Sequence, residues 1–169
     1  MATAGPAIRL FDDNPLKFLP APLREPRRAW LSILTGWALS IVGSLLLAGL
    51  FAALMPELQG PEFPYKGWIA LFALVVFAPF FETLIMAGLI WLCERVMPTA
   101  AAVLASAVLW GVFHSTQALG WGLVIWWPFL IFSTLYVVWR QRGFWAGIGV
   151  AAATHAMQNL LPGLAVAFG

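Results

Sequence analysis

The sequence predicts an all-α protein, a polytopic transmembrane helical bundle of about five spans. Two observations carry this. Of 169 residues, 62% are hydrophobic and only 9% charged, against about 25% charged in a typical soluble domain. A monomer with that surface would not stay solvated in water. The charges are also segregated, leaving runs of roughly 20 apolar residues, the length a helix needs to cross about 30 Å of hydrocarbon. Strands fit less well, because they would alternate polar and apolar residues over about ten positions each.

Residues 1–29 hold the proline-rich, mixed-charge stretch "DDNPLKFLPAPLREPRR". They are read as a cytoplasmic lead-in lying at the membrane surface, set apart from a helical domain over 30–169. The segment precedes the first span by too far for an ordinary signal peptide, so that span is expected to be retained. Trp30 to Met55 contains no Asp, Glu, Lys or Arg and is the first span. Gly67 to Cys93 is the second, interrupted only by Glu82. Pro98 to Trp139 is long enough for two, divided at the polar, glycine-bearing "HSTQALGWG" from His114 to Gly122. Gly143 to Gly169 is the fifth.

Five spans with a cytoplasmic N-terminus put Lys17, Arg24, Arg27, Arg28, Arg95, Arg140 and Arg142 inside and Lys66 outside. That matches the bias of basic residues toward cytoplasmic loops. The expected setting is a bacterial inner (cytoplasmic) membrane. A net charge of +2, explained by topology, gives no reason to expect a nucleic-acid partner. Cys93 is the single cysteine, which excludes an intrachain disulfide and a Cys-rich metal site. No Gly-rich phosphate loop or internal repeat is present, and no cofactor is expected.

Three ionisable side chains remain inside the spans: Glu82, His114 and His155, the last two being the only histidines. A charged group near the centre of a span costs at least about 2.5–3.5 kcal/mol on insertion scales, and such residues face the bundle interior and mark functional sites. Pro79, three residues before Glu82, lacks an N–H and is expected to free the carbonyl of Val75. His155 and Asn159 stand i, i+4 and share one helix face, as do Trp110 and His114. These four polar residues, on three spans, are expected to form one site. A ruler of about 1.5 Å per residue from the predicted span ends sets His114 nearer the outer face than Glu82 by on the order of 10 Å.

At these residues the sequence resembles the CPBP family of intramembrane proteases (CAAX prenyl endopeptidases and bacteriocin-processing proteins). The family's A-P-x-x-E-E-x-x-x-R-G is similar to the run from Ala78 to Gly88, its aromatic-x-x-x-His to Trp110–His114, and its His-x-x-x-Asn to His155–Asn159. Thr83 stands at the second glutamate and Ala87 at the arginine. Losing both members of a buried charged pair is electrostatically coherent, whereas losing one is strongly destabilising. The resemblance implies a glutamic-type endopeptidase. Glu82 would be general base, His114 would help hold the water, and His155 and Asn159 would donate to the oxyanion. The implied partner is a membrane-embedded or lipidated peptide, such as a C-terminal sorting or anchor segment.

Two His and one Glu are also a ligand set for catalytic zinc. That use consumes the only intramembrane carboxylate, and no H-E-x-x-H helix is present. A proton or ion pathway would extend its polar lining to both faces, and these spans have too few polar residues for that. A catalytically silent scaffold or immunity protein is the remaining alternative.

Overall fold

In the computed structural model, residues 8–58 and 60–169 are described. Among them every regular element is helical. A short helix α1 (Ala21–Arg24) precedes α2 (Ala29–Leu54). Then come α3 (Gly67–Phe72), a π-helical turn (Ala73–Phe77), α4 (Ala78–Cys93), α5 (Thr99–Ser115), α6 (Leu119–Trp139) and α7 (Phe144–Phe168). The stretches 29–54, 67–93 and 119–142 are long and apolar enough to cross a membrane, and α5 is a shorter apolar helix. The architecture is that of a helical membrane bundle. Its outward residues fit that solvent: Leu46, Trp68 and Ile69 are each at least 70% exposed.

Local sequence sets the ends. Helix α2 stops at Met55, which adopts φ −141° because the following Pro56 disfavours the α region for its predecessor. Helix α5 starts directly after the extended Pro98. Gly143, at φ +124°, lets the chain reverse between α6 and α7, a conformation open to glycine at no steric penalty.

Helix α6 is the hub. Every residue from Pro128 to Trp139 is buried, and α6 packs against α1, α2, α5 and α7. Small residues permit the close approach: a Cβ on Gly43 of α2 would fall on the indole of Trp127. That indole donates Nε1–H to the Leu39 carbonyl at 2.8 Å. Membrane helices associate through such packing, since lipid supplies no hydrophobic force between them.

The N-terminal segment belongs to this core instead of standing apart as a surface lead-in. Leu16, Leu19 and Leu23 are at most 1% exposed. Arg24 is buried, donating Nε–H to the Leu19 carbonyl at 2.6 Å and pairing with Asp12. Ser32 donates to the Pro22 carbonyl at 2.6 Å. The Gln141 carboxamide clamps both backbone groups of Ile8 at 3.1 Å, and Arg142 reaches the Pro26 carbonyl at 3.2 Å. The prolines keep 8–28 from becoming a long helix, while the leucines between them supply the apolar face that docks.

One ionic knot closes the same end of the bundle. Arg140 donates Nη1–H to Glu94 Oε2 at 2.8 Å and pairs through Nη2 with Oε1, and Thr99 donates to Oε1 at 2.8 Å. The α4–α5 turn is thereby tied to the end of α6. The Arg140 hydrogen bond holds the Glu94 carboxyl below the usual carboxylate range, partly opposed by burial. A depressed carboxylate contributes stability above its unfolded value, about 4.3, and loses it as pH falls through the folded value. Glu94→Gln is therefore expected to lower stability near neutral pH by about 1 kcal/mol, as partly exposed pairs do. Its difference from wild type should vanish in acid below that range. Thermal unfolding in detergent across pH checks this, and a difference that persists in strong acid would contradict it.

Candidate functional site

The four predicted residues arrive from three helices at a cavity of about 410 Å³, which Glu82, His114, His155 and Asn159 all line. Glu82 comes from the first half of α4, His114 from the last turn of α5, and His155 and Asn159 from the middle of α7. The expected depth mismatch closes. The α4–α5 turn is pinned by the Thr99–Glu94 bond, and Glu82 lies twelve residues before Glu94 while His114 lies fifteen after Thr99. That leaves an offset of only about 4.5 Å in rise.

The π-turn explains how α4 starts. The Ala78 N–H bonds the Ala73 carbonyl, an i→i−5 step. In that register the next donor would come from position 79 to the Leu74 carbonyl, and Pro79 has none. One residue before the Val75 carbonyl that an α-helical register would free, the Leu74 carbonyl is thus left without a main-chain donor. Asn159 takes its place, donating Nδ2–H to Leu74 O at 2.9 Å. One amide hydrogen of Asn159 is committed to this bond, and the other has no partner among the described residues. Single π-turns inside α-helices often mark functional sites.

Each imidazole has a distinct setting. His114 Nδ1 lies 2.8 Å from the Trp110 carbonyl. A carbonyl only accepts, so Nδ1 carries the hydrogen and neutral His114 offers Nε2 as an acceptor. Its ring meets Trp121 edge-on at 4.4 Å. His155 stacks on Phe132 at 4.5 Å, and its Nδ1 is buried with no hydrogen-bond partner among the described residues. Phe129 neighbours both imidazoles, 5.6 Å from His114 and 5.3 Å from His155. Trp110 stacks on Phe129 at 4.4 Å.

His155 Nε2 stands 3.6 Å from Glu82 Oε2. This is within ion-pair reach and too long for a direct hydrogen bond. Thr83 and Ala87, behind Glu82, are buried at 1% and 3% exposure, and Thr83 donates to the Pro79 carbonyl at 2.6 Å. Among the described residues, no group of three His, Cys, Asp or Glu side chains is spaced to hold a metal ion.

The cavity also holds two polar residues that a search confined to ionisable groups passes over, Ser44 on α2 and Gln158 on α7. Gln158 sits three residues beyond His155, so the i, i+3 rule that joins helix faces would have found it. Ser44 carries no such local signal, because its placement depends on how α2 meets α7.

The Asn159–Leu74 bond sets up a rescue experiment. Asn159→Ala leaves a part-buried carbonyl without its donor, a loss of about 1 kcal/mol. Pro79→Ala restores an N–H opposite Leu74 and is expected to recover part of that loss in the Asn159→Ala background. Denaturant unfolding of the single and double variants reads this. Strictly additive losses would show that the two residues do not serve one carbonyl.

Comparison with protein-family models, with curated proteins and with solved structures gives no match.

Proposed function

We propose that this protein is an intramembrane endopeptidase of glutamic type, acting on a membrane-embedded or lipid-modified peptide. The observation that carries the reading is the convergence of Glu82, His114, His155 and Asn159 on one cavity inside the bundle. The ordered resemblance of their three motifs to the CPBP proteases supports it.

In this mechanism Glu82 takes a proton from water as the water oxygen attacks the scissile carbonyl carbon. His114, through Nε2, helps to orient that water. His155 and the uncommitted N–H of Asn159 donate to the tetrahedral oxyanion. Glu82 then delivers its proton to the leaving amine as the C–N bond breaks. Donors fixed in a water-poor site are worth several kcal/mol at the transition state. Sequestration by Phe129, Phe132 and Trp121 strengthens each of these interactions.

The proposed orientation has the N-terminus in the cytoplasm, in a bacterial inner membrane. Its support is that the starts of α2, α5 and α7 share one end of the bundle with Arg24, Arg95, Arg140 and Arg142, while Lys66 belongs to the opposite end. The cavity residues Pro61, Phe63 and Val166 belong to that opposite, outer end. Cysteines placed near Arg140 should react only with membrane-permeant reagents, and cysteines near Glu62 with impermeant ones. The reverse pattern inverts the topology.

Glu82→Gln keeps size and hydrogen bonding but removes the base. It is expected to reduce cleavage by at least about 10²-fold, the lower range for general acid–base catalysis, with insertion unchanged. Chelators should have no effect. Activity lost in chelator and restored by zinc would replace this mechanism with Glu82, His114 and His155 as zinc ligands. Full activity in Glu82→Gln would eliminate both enzymatic readings of this site, and no cleavage by the wild type would leave the scaffold. Proteins accumulating uncleaved in a deletion strain would identify the substrate.

A further inference from the structure

Gln158 faces the cavity about one turn beyond His155 and takes no part in the chemistry above. Its Nε2 donates to Ser44 Oγ at 3.4 Å, a long contact, and its Oε1 is enclosed without a partner among the described residues. Pro162, within α7, has no N–H, so the Gln158 main-chain carbonyl also loses its ordinary helical donor. Side-chain and main-chain acceptors of one residue are thus both left without their usual donors. The surrounding wall, including Leu74, Val124, Ile125, Phe132 and Val166, is apolar, and among the described residues the only ionisable side chains lining it are Glu82, His114 and His155.

An enclosed, unpartnered side-chain acceptor at an apolar cavity favours a ligand that brings an N–H donor and no charge. A peptide backbone does so, and its carbonyl answers the Nε2 donor in return. A helical peptide has already spent these groups on itself, so the bound segment must be extended. We propose that Gln158, braced by Ser44, docks a backbone amide of an extended peptide with uncharged side chains. This deepens, and rests on, the peptidase reading. The rise from His155 to Gln158 is about 4.5 Å, between one and two residues of extended chain at about 3.3 Å each. The docked amide therefore lies one or two residues from the bond presented to Glu82, and Gln158 is a positioning residue.

The test uses the whole protein in lipid nanodiscs. The probe is a capped, fluorophore-labelled eight-residue peptide of alternating alanine and leucine, together with a set N-methylated at each backbone position in turn. Gln158→Ala, and Gln158→Met of similar volume, should weaken binding about tenfold, as loss of two neutral hydrogen bonds implies. In cleavage the change should appear in KM, with kcat within about twofold. One N-methyl position should weaken binding to the wild type and leave the Gln158 variants unaffected, the non-additivity of a shared contact. Glu82→Gln should bind the probe like wild type. Equal N-methyl effects in wild type and variants, or no binding of the probe, would overturn the proposal. The expected binding pattern with no cleavage by wild type would remove the peptidase reading and keep the docking site. Cleavage indifferent to both Gln158 and N-methylation would do the reverse.

Discussion

In hydrocarbon no water is available to complete a hydrogen bond, so every backbone polar group must find its partner within the protein. Pro79, Pro128 and Pro162 each remove a helical donor by covalent necessity, and the repair at Pro79 is the one that ties separate helices together. The π-turn moves the orphan carbonyl to Leu74, and a side chain 85 positions later closes it. That single bond ties α7 to the α3–α4 segment at the depth of the cavity. It sets how far His155 stands from Glu82, because both residues are on the helices it joins. The polar amide is thus part of the scaffold before it is part of any chemistry.

The bundle divides into two halves with different tasks. Near the Glu94–Arg140 knot, α6 is buried on all sides from Pro128 onward, and the N-terminal leucines seal the remaining flank. In the other half the helices part around the cavity, and the prolines inside α6 and α7, Pro128 and Pro162, both line it. A helix-interior proline removes a hydrogen bond and disturbs local geometry. Placing these prolines beside a cavity puts the disturbance where space is wanted and keeps the packed half regular. The cavity side chains are then held by helices whose far ends are locked, an arrangement that fixes their mutual geometry.

Much of this was legible because charge-free runs mark spans so plainly. The expected second span and the observed 67–93 stretch share both ends. Helices α2 and α7 differ from the expected first and last spans by one residue at each end, although α7 is not among the three stretches long and apolar enough to cross a membrane. The site residues were legible for the same reason: Glu82, His114 and His155 are conspicuous in apolar surroundings. What escaped depends on tertiary placement. The docking of residues 8–28 requires knowing that α6 leaves a flank open, and proline-rich composition alone points to a free tail. Ser44 is one serine among several on α2 until α7 is set against it. The shift of the free carbonyl from Val75 to Leu74 follows from a change of helical register that no propensity encodes.

The way the N-terminal segment is held has a consequence for biogenesis. Residues 8–28 leave the ribosome before α2, yet Ile8 and Pro26 are fastened to Gln141 and Arg142, which follow only after α2 to α6 have been made. During most of synthesis the buried leucines of the segment have no partner, and its capture on α6 belongs to the end of assembly. Such long-separation contacts form late, since the chain must first close a very large loop. The segment thus acts as a completion seal, in place only on a bundle that already holds α6 and the turn into α7. Insertion machinery or a membrane chaperone has that interval in which to meet the uncovered flank.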